Sequence, residues 1–213
     1  MKKSIFFAAI LIAALGFTGC GGSDKNGGSL KITAKVENGA NYNNLVDEVR
    51  AVQSVSGDDI TIATAPYKNG GFKITLPEKI DERLLRPTIM PTGVTVSNTN
   101  VKTTALYGFG AYKSNIFVDA LVQFNVELYP QELTLAAYLY VDADVKITGA
   151  HALETYDCDL KKGWNTVYGI QNFIARSMKY TTKKPKIDLK WYFADDLGLV
   201  SSAPSKNAKP FNF

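Results

Sequence analysis

Histidine and cysteine are nearly missing from these 213 residues: His151 stands alone, and the two cysteines are Cys20 and Cys158. A zinc site built on several histidines is therefore excluded, and a Ser-His-Asp triad has a single imidazole to draw on. His151 follows Gly149 and Ala150 in a segment that reads as a solvated turn, which makes it a poor choice of general base. No glycine loop joins a strand to a helix, since Gly108-Phe109-Gly110 has neither the spacing nor the following helix of a phosphate or dinucleotide site. Charge of one sign is lacking too. The formal net charge is +4, and no basic block interleaves with aromatics, so the electrostatic footprint of a nucleic-acid binder is missing. The cluster Lys183, Lys184 and Lys186 around Pro185 reads as a solvated loop.

Long apolar runs are absent with one exception. Ile5 to Phe17 spans thirteen residues behind Lys2 and Lys3; a membrane-crossing helix takes about 20, so the run has the layout of an export signal. Its end, Phe17-Thr18-Gly19-Cys20, resembles the lipobox of bacterial lipoproteins, with Phe17 where an aliphatic residue is usual. The resemblance implies removal of residues 1–19, acylation of Cys20 (palmitate among its chains) and a membrane as partner through that lipid. Several acyl chains, each contributing about 0.8 kcal/mol per buried CH₂, make such an anchor permanent. Residues 20–29 then form a lipidated tether, polar and glycine-rich from Gly21 to Ser29. By the same analogy, Gly21 rather than an aspartate after the cysteine implies the outer membrane, on its periplasmic side or at the cell surface. Without Lys2 and Lys3 the balance is 22 basic to 20 acidic side chains. With Cys20 acylated, Cys158 has no disulfide partner, and its alternation with Tyr156 and Leu160 marks a small buried hydrophobe rather than a nucleophile.

The body has the period of strands. Leu133, Leu135, Ala137, Leu139, Val141, Ala143, Val145 and Ile147 alternate with Thr134, Ala136, Tyr138, Tyr140, Asp142, Asp144, Lys146 and Thr148, which predicts one long strand with the first set buried. Val118 to Leu128 alternates likewise, and Tyr129-Pro130-Gln131-Glu132 predicts a hairpin between them. Shorter alternations occur at 30–36, 60–62, 72–76, 164–170 and 187–193. The expected fold is an all-β antiparallel sandwich of about 8–10 strands, forming one domain over residues 30–200, followed by a tail, 201–213. One short helix is expected near 78–85, with Pro77 at its start and Pro87 beyond its end. Residues 77–100, rich in proline and asparagine, are the candidate internal boundary.

Strands at 30–36, 46–52 and 60–65, closed by Lys68-Asn69-Gly70-Gly71-Phe72-Lys73-Ile74-Thr75-Leu76-Pro77, resemble a transthyretin-like or carboxypeptidase-regulatory β-sandwich module over residues 30–77. The resemblance implies an architecture found in adhesins, pilus parts and enzyme appendages, and no activity. The second half, with Lys161-Lys162-Gly163-Trp164-Asn165 and Lys190-Trp191-Tyr192, resembles small lipoproteins of Bacteroidota.

Two constellations are candidate sites. If the long strand turns at Gly149 to His151, Asp142 faces Asp159 and Asp144 faces Asp157; that set is either a Ca²⁺ site or a solvated face balanced by Lys146, Lys161 and Lys162. No other cofactor is indicated. Tyr138 and Tyr140 on the outward face, with Tyr107 and Phe109 on another strand, are either a stacking surface for a glycan or aromatics covered by a second sheet or a partner. The expected function is non-catalytic: a cell-envelope lipoprotein binding a glycan or a protein, through a shallow groove bordered by tyrosines. The alternative is a fimbrillin-like structural subunit joined by strand addition, with proteolytic processing near Arg50.

Overall fold

A computed structural model describes residues 28–127 and 131–197; the predicted signal peptide, Cys20 and the tail 201–213 lie outside them. The described chain is all-β. Fifteen strands follow in order: β1 Leu30–Lys35, β2 Glu48–Val55, β3 Asp58–Lys68, β4 Gly71–Leu76, β5 Arg86–Pro87, β6 Val94–Val96, β7 Lys102–Leu106, β8 Phe109–Lys113, β9 Ile116–Glu127, β10 Glu132–Val141, β11 Val145–His151, β12 Glu154–Leu160, β13 Gly163–Asn172, β14 Ser177–Thr181 and β15 Lys190–Phe193. That exceeds the 8–10 expected. The sheet is also mixed, because β12 pairs with β14 in parallel while every other ladder between these strands is antiparallel. The helix expected near 78–85 is a single 3-10 turn, Glu82–Leu84. Asp81 caps it by accepting from the Arg83 N–H, and Leu85 is already extended, so no second turn is built.

The path β1-β4-β3-β2-β8-β9 returns on itself. β15 pairs with the other edge of β9, and a parallel bridge from Val36 to Trp191 joins it to the end of β1. This ring of seven strands encloses an aromatic core in which Phe72, Phe109, Tyr138 and Trp191 pack ring against ring at 5.3–6.4 Å. From β9 the sheet continues as β10-β13-β14-β12-β11-β6 around a second, aliphatic core of Val101, Val141, Val145, Ile147, Cys158, Leu160 and Val167. The strands of residues 30–77 all form, and their core is shared with β10, β13 and β15.

β10 is where the two cores meet. Thr134, Ala136, Tyr138 and Tyr140 point one way, the two tyrosines into the aromatic core, while Leu139 and Val141 point into the aliphatic one. The expected single buried face was thus the wrong description: both faces are covered, and the tyrosine row is inside. Tyrosine tolerates this because its hydroxyl finds a partner while the ring is buried. Tyr138 donates to Gln123 Oε1 at 2.9 Å, and Tyr140 donates to the Glu78 carbonyl at 3.2 Å. The predicted hairpin with β9 is brief, from Glu132↔Glu127 to Leu135↔Phe124, before β9 turns to β8 and β15. The long strand also breaks at Asp142–Asp144, where the Asp142 carboxylate accepts the Lys102 N–H at 2.9 Å and ties the break to β7.

Candidate functional site

The aspartates do not assemble as expected. β11 and β12 turn at Ala152 and Leu153, so Lys146 faces Asp159 and Thr148 faces Asp157, while Asp142 and Asp144 precede the ladder. The register is displaced by four residues from the expected one. An even displacement keeps each side chain on its face, which is why Cys158 and Leu160 are buried beside Val145 and Ile147 as the alternation implied. Three of the carboxylates meet lysines: Lys161 bridges Asp144 (3.5 Å) and Asp159 (3.2 Å), Lys146 approaches Asp159 (3.8 Å), and Lys183 binds Asp157 (2.7 Å). Asp144 is held below the usual aspartate range by the Lys162 N–H and then by Lys161; Lys183 does the same for Asp157. Among the described residues no group of three or more His, Cys, Asp or Glu is disposed to hold a metal ion. The lysines that meet these exposed carboxylates are Lys146 and Lys161, as in the solvated-face alternative, with Lys183 in place of Lys162.

The other singled-out residues separate as well. Tyr138, Tyr140 and Phe109 are 5%, 7% and 2% exposed, so three of the four aromatics offered as a stacking surface are core. Tyr107 is 54% exposed. His151 ends β11 at the surface, its Nδ1 3.0 Å from the Thr92 carbonyl. Burial pushes the Cys158 thiol up to about 11, which leaves it protonated and unreactive at neutral pH. Arg50 lies within β2 with ladders on both sides, opposite Thr64 of β3 and Gly110 of β8.

The sheet opens a cleft beside Tyr107. β2 pairs with β8 only through Glu48–Arg50; beyond that point β7, which precedes β8, pairs with β10 and β5 instead of β2. The departure is at Tyr107-Gly108, and Gly108 is needed there, because a Cβ would sit 2.4 Å from the Leu121 carbonyl oxygen. Between the diverging strands is a space of ≈ 240 Å³ lined by Gln53, Ser54 and Val55 from β2, Thr103, Thr104, Ala105 and Tyr107 from β7 and its end, and Leu84 and Arg86. At its floor the Gln53 amide donates to Thr104 Oγ1 at 3.4 Å. Amide, hydroxyl and guanidinium groups thus converge beside an exposed aromatic ring, and none of the lining side chains is a carboxylate, imidazole or thiol. The sequence had marked Tyr107 alone; the others were hidden because the cleft arises from a strand changing partners, which no local pattern records.

A second hollow, ≈ 310 Å³, lies at the opposite end of β7 between Glu78, Lys79, Lys102, Tyr140, Asp142 and Lys162. Two of its polar groups have partners within the chain, Tyr140 on the Glu78 carbonyl and Asp142 on the Lys102 N–H, as do groups of the first cleft, where Ser54 donates to Asp59 and Arg86 to the Arg83 and Leu85 carbonyls.

In class, this is an all-β protein built on one coiled mixed sheet with two cores. No protein-family model, curated protein or solved structure matches the chain.

Proposed function

We propose that this is a non-catalytic lipoprotein of the cell envelope, anchored through Cys20, that recognises a saccharide in the cleft between β2 and β7. The observation that carries the reading is the convergence of Gln53, Ser54, Thr103, Thr104 and Arg86 beside the half-exposed ring of Tyr107. Sugar recognition needs an apolar platform for the ring face and fixed amide, hydroxyl or guanidinium partners for the hydroxyls, and a small number of placed polar groups sets orientation. The lining groups are an amide, hydroxyls and a guanidinium, which suit hydrogen bonding to a sugar.

The test is a panel of soluble oligosaccharides titrated into the protein by NMR. Binding is expected to shift resonances of Gln53 and Thr104, and Tyr107→Ala to weaken it by roughly two- to twelvefold, the loss expected for removing a ring contact of about 0.5–1.5 kcal/mol. Shifts confined to other surfaces, or a Tyr107→Ala variant that binds as the parent does, would refute the assignment.

A further inference from the structure

The outward face of β1, β4 and the C-terminal half of β3 carries charge of one sign; the acids of β3, Asp58 and Asp59, lie at its far end. Along β1, Lys31, Thr33 and Lys35 are exposed between buried Ile32 and Ala34; along β4, Lys73 and Thr75 are exposed beside Ile74 and Leu76; on β3, Thr64, Pro66 and Lys68 are exposed beside Ala65 and Tyr67. Thr33 faces Lys73, and Lys35, Gly71 and Lys68 lie in one row across the three strands. Lys73 therefore has Lys31, Lys35 and Lys68 as diagonal neighbours, at a spacing of about 7–8 Å. None of these four lysines has an ion pair among the described residues. Glu48 of β2, opposite Pro66 on this face, accepts from both Nε and Nη2 of Arg50 through its Oε2. Like charges gathered on one sheet face oppose folding, and nothing described in the chain offsets them.

Further round the ring, past β2, strands β8 and β9 carry exposed apolar side chains of their own. Arg50 stacks 4.3 Å over the Tyr112 ring, and Tyr112 meets Phe117 edge-on at 5.7 Å. A bulge between Ala111 and Tyr112 brings Phe117 opposite Tyr112, and Phe117 and Ile116 are 55% and 71% exposed. A row of unpaired lysines on one sheet face is the composition of a surface that rests on anionic lipid, with cations on phosphates. The chain's own layout supplies the partner. β1 begins at Leu30, ten residues after Cys20, and ten extended residues reach at most about 35 Å. An anchor at Cys20 thus keeps this face within reach of headgroups.

We propose that the β1-β4-β3 face lies against an anionic membrane surface, with Lys31, Lys35, Lys68 and Lys73 on lipid phosphates. The inference rests on the anchored reading of Cys20. To test it, the full chain is reconstituted into phosphatidylglycerol-rich vesicles or into pure phosphatidylcholine vesicles, and amine labelling is read by mass spectrometry. Lys31, Lys35, Lys68 and Lys73 should label several-fold more slowly on the anionic vesicles, whereas Lys146 and Lys179 label equally on both. Protection should vanish in 1 M salt, where screening acts within about 3 Å. Equal labelling of the four on both vesicles overturns the proposal. Intact mass separately reports acylation: a bare Cys20 defeats the anchor, and the face is then judged by flotation of the unacylated chain with the same vesicles. The variant K31Q/K35Q/K68Q/K73Q should lower that flotation by roughly 1,000-fold; a wild-type chain that floats no better than the variant overturns the face.

Discussion

Replacing Phe193 with alanine tests whether aromatic stacking is what holds the last strand. β15 has four residues, pairs with β9 alone apart from the single bridge from Trp191 to Val36, and ends in Phe193. That ring is 0% exposed, stacks on Tyr42 at 3.6 Å between centroids and meets Tyr67 edge-on at 5.9 Å. Beyond it, the Ala194 N–H donates to the Ala120 carbonyl and the Asp195 N–H to the Asp119 carboxylate. Truncation of a buried phenylalanine costs about 3–5 kcal/mol, a large share of the roughly 5–15 kcal/mol that stabilises a typical domain. For a chain of this size Tm should fall by roughly 6–20 °C. Urea unfolding followed by tryptophan fluorescence separates local from global loss, because the two tryptophans lie in β15 (Trp191) and β13 (Trp164). In Trp164→Phe and Trp191→Phe backgrounds the two reporters should unfold together in the parent. In Phe193→Ala the Trp191 transition should come first, as a terminal strand releases before the body. A loss under about 1 kcal/mol at both reporters, outside the range for a buried ring, would refute the reasoning.

Gly71→Ala should destabilise severely or prevent folding, since the added Cβ would lie 2.2 Å from the Ala34 carbonyl oxygen in the neighbouring strand; a Tm within a degree of the parent's would show that β1 and β4 can separate freely. Cys158 should resist thiol reagents in the native state and react only as the chain unfolds, because burial holds its thiol near 11; stoichiometric labelling of the folded protein contradicts this. Asp119 is buried, and desolvation raises its pKa, with Asp195 and Asp196 adding to the effect. Its folded pKa exceeds the unfolded one, so its contribution to stability is present below the unfolded value and is lost as pH rises through the folded value. Asp81, Asp144 and Asp157 are shifted down and act in the opposite sense, losing their contribution as pH falls. Carboxyl NMR titration should find Asp119 the last of these four to deprotonate; an Asp119 that titrates at or below the ordinary aspartate value would contradict its burial.

Much of the strand content was legible because period-2 alternation survives in the residues themselves: Leu30–Lys35, Gly71–Leu76 and Gly163–Asn172 lie where the pattern put them. What failed was the assignment of faces and partners. Alternation sorts side chains into two sets but does not say which set meets a core, and in β10 both do. The β11–β12 register missed by four because Ala152 adopts a positive φ of 51° in a two-residue turn, a conformation that alanine's presence does not advertise. Of the candidate site, Tyr107 was visible as an aromatic between strands, whereas Gln53 and Arg86 come to it from elements distant in sequence.

The double burial of β10 makes its register a variable shared by the whole molecule. Shifting the strand by one residue would send Tyr138 and Tyr140 among the valines of one core and Leu139 and Val141 among the rings of the other. Neither half can then repack by itself, since any slip that eases one core spoils its neighbour. A single insertion in β10 should therefore damage the chain as a unit, and the two cores should melt in one cooperative transition, a tie that β13 reinforces with Trp164 in one core and Val167 in the other.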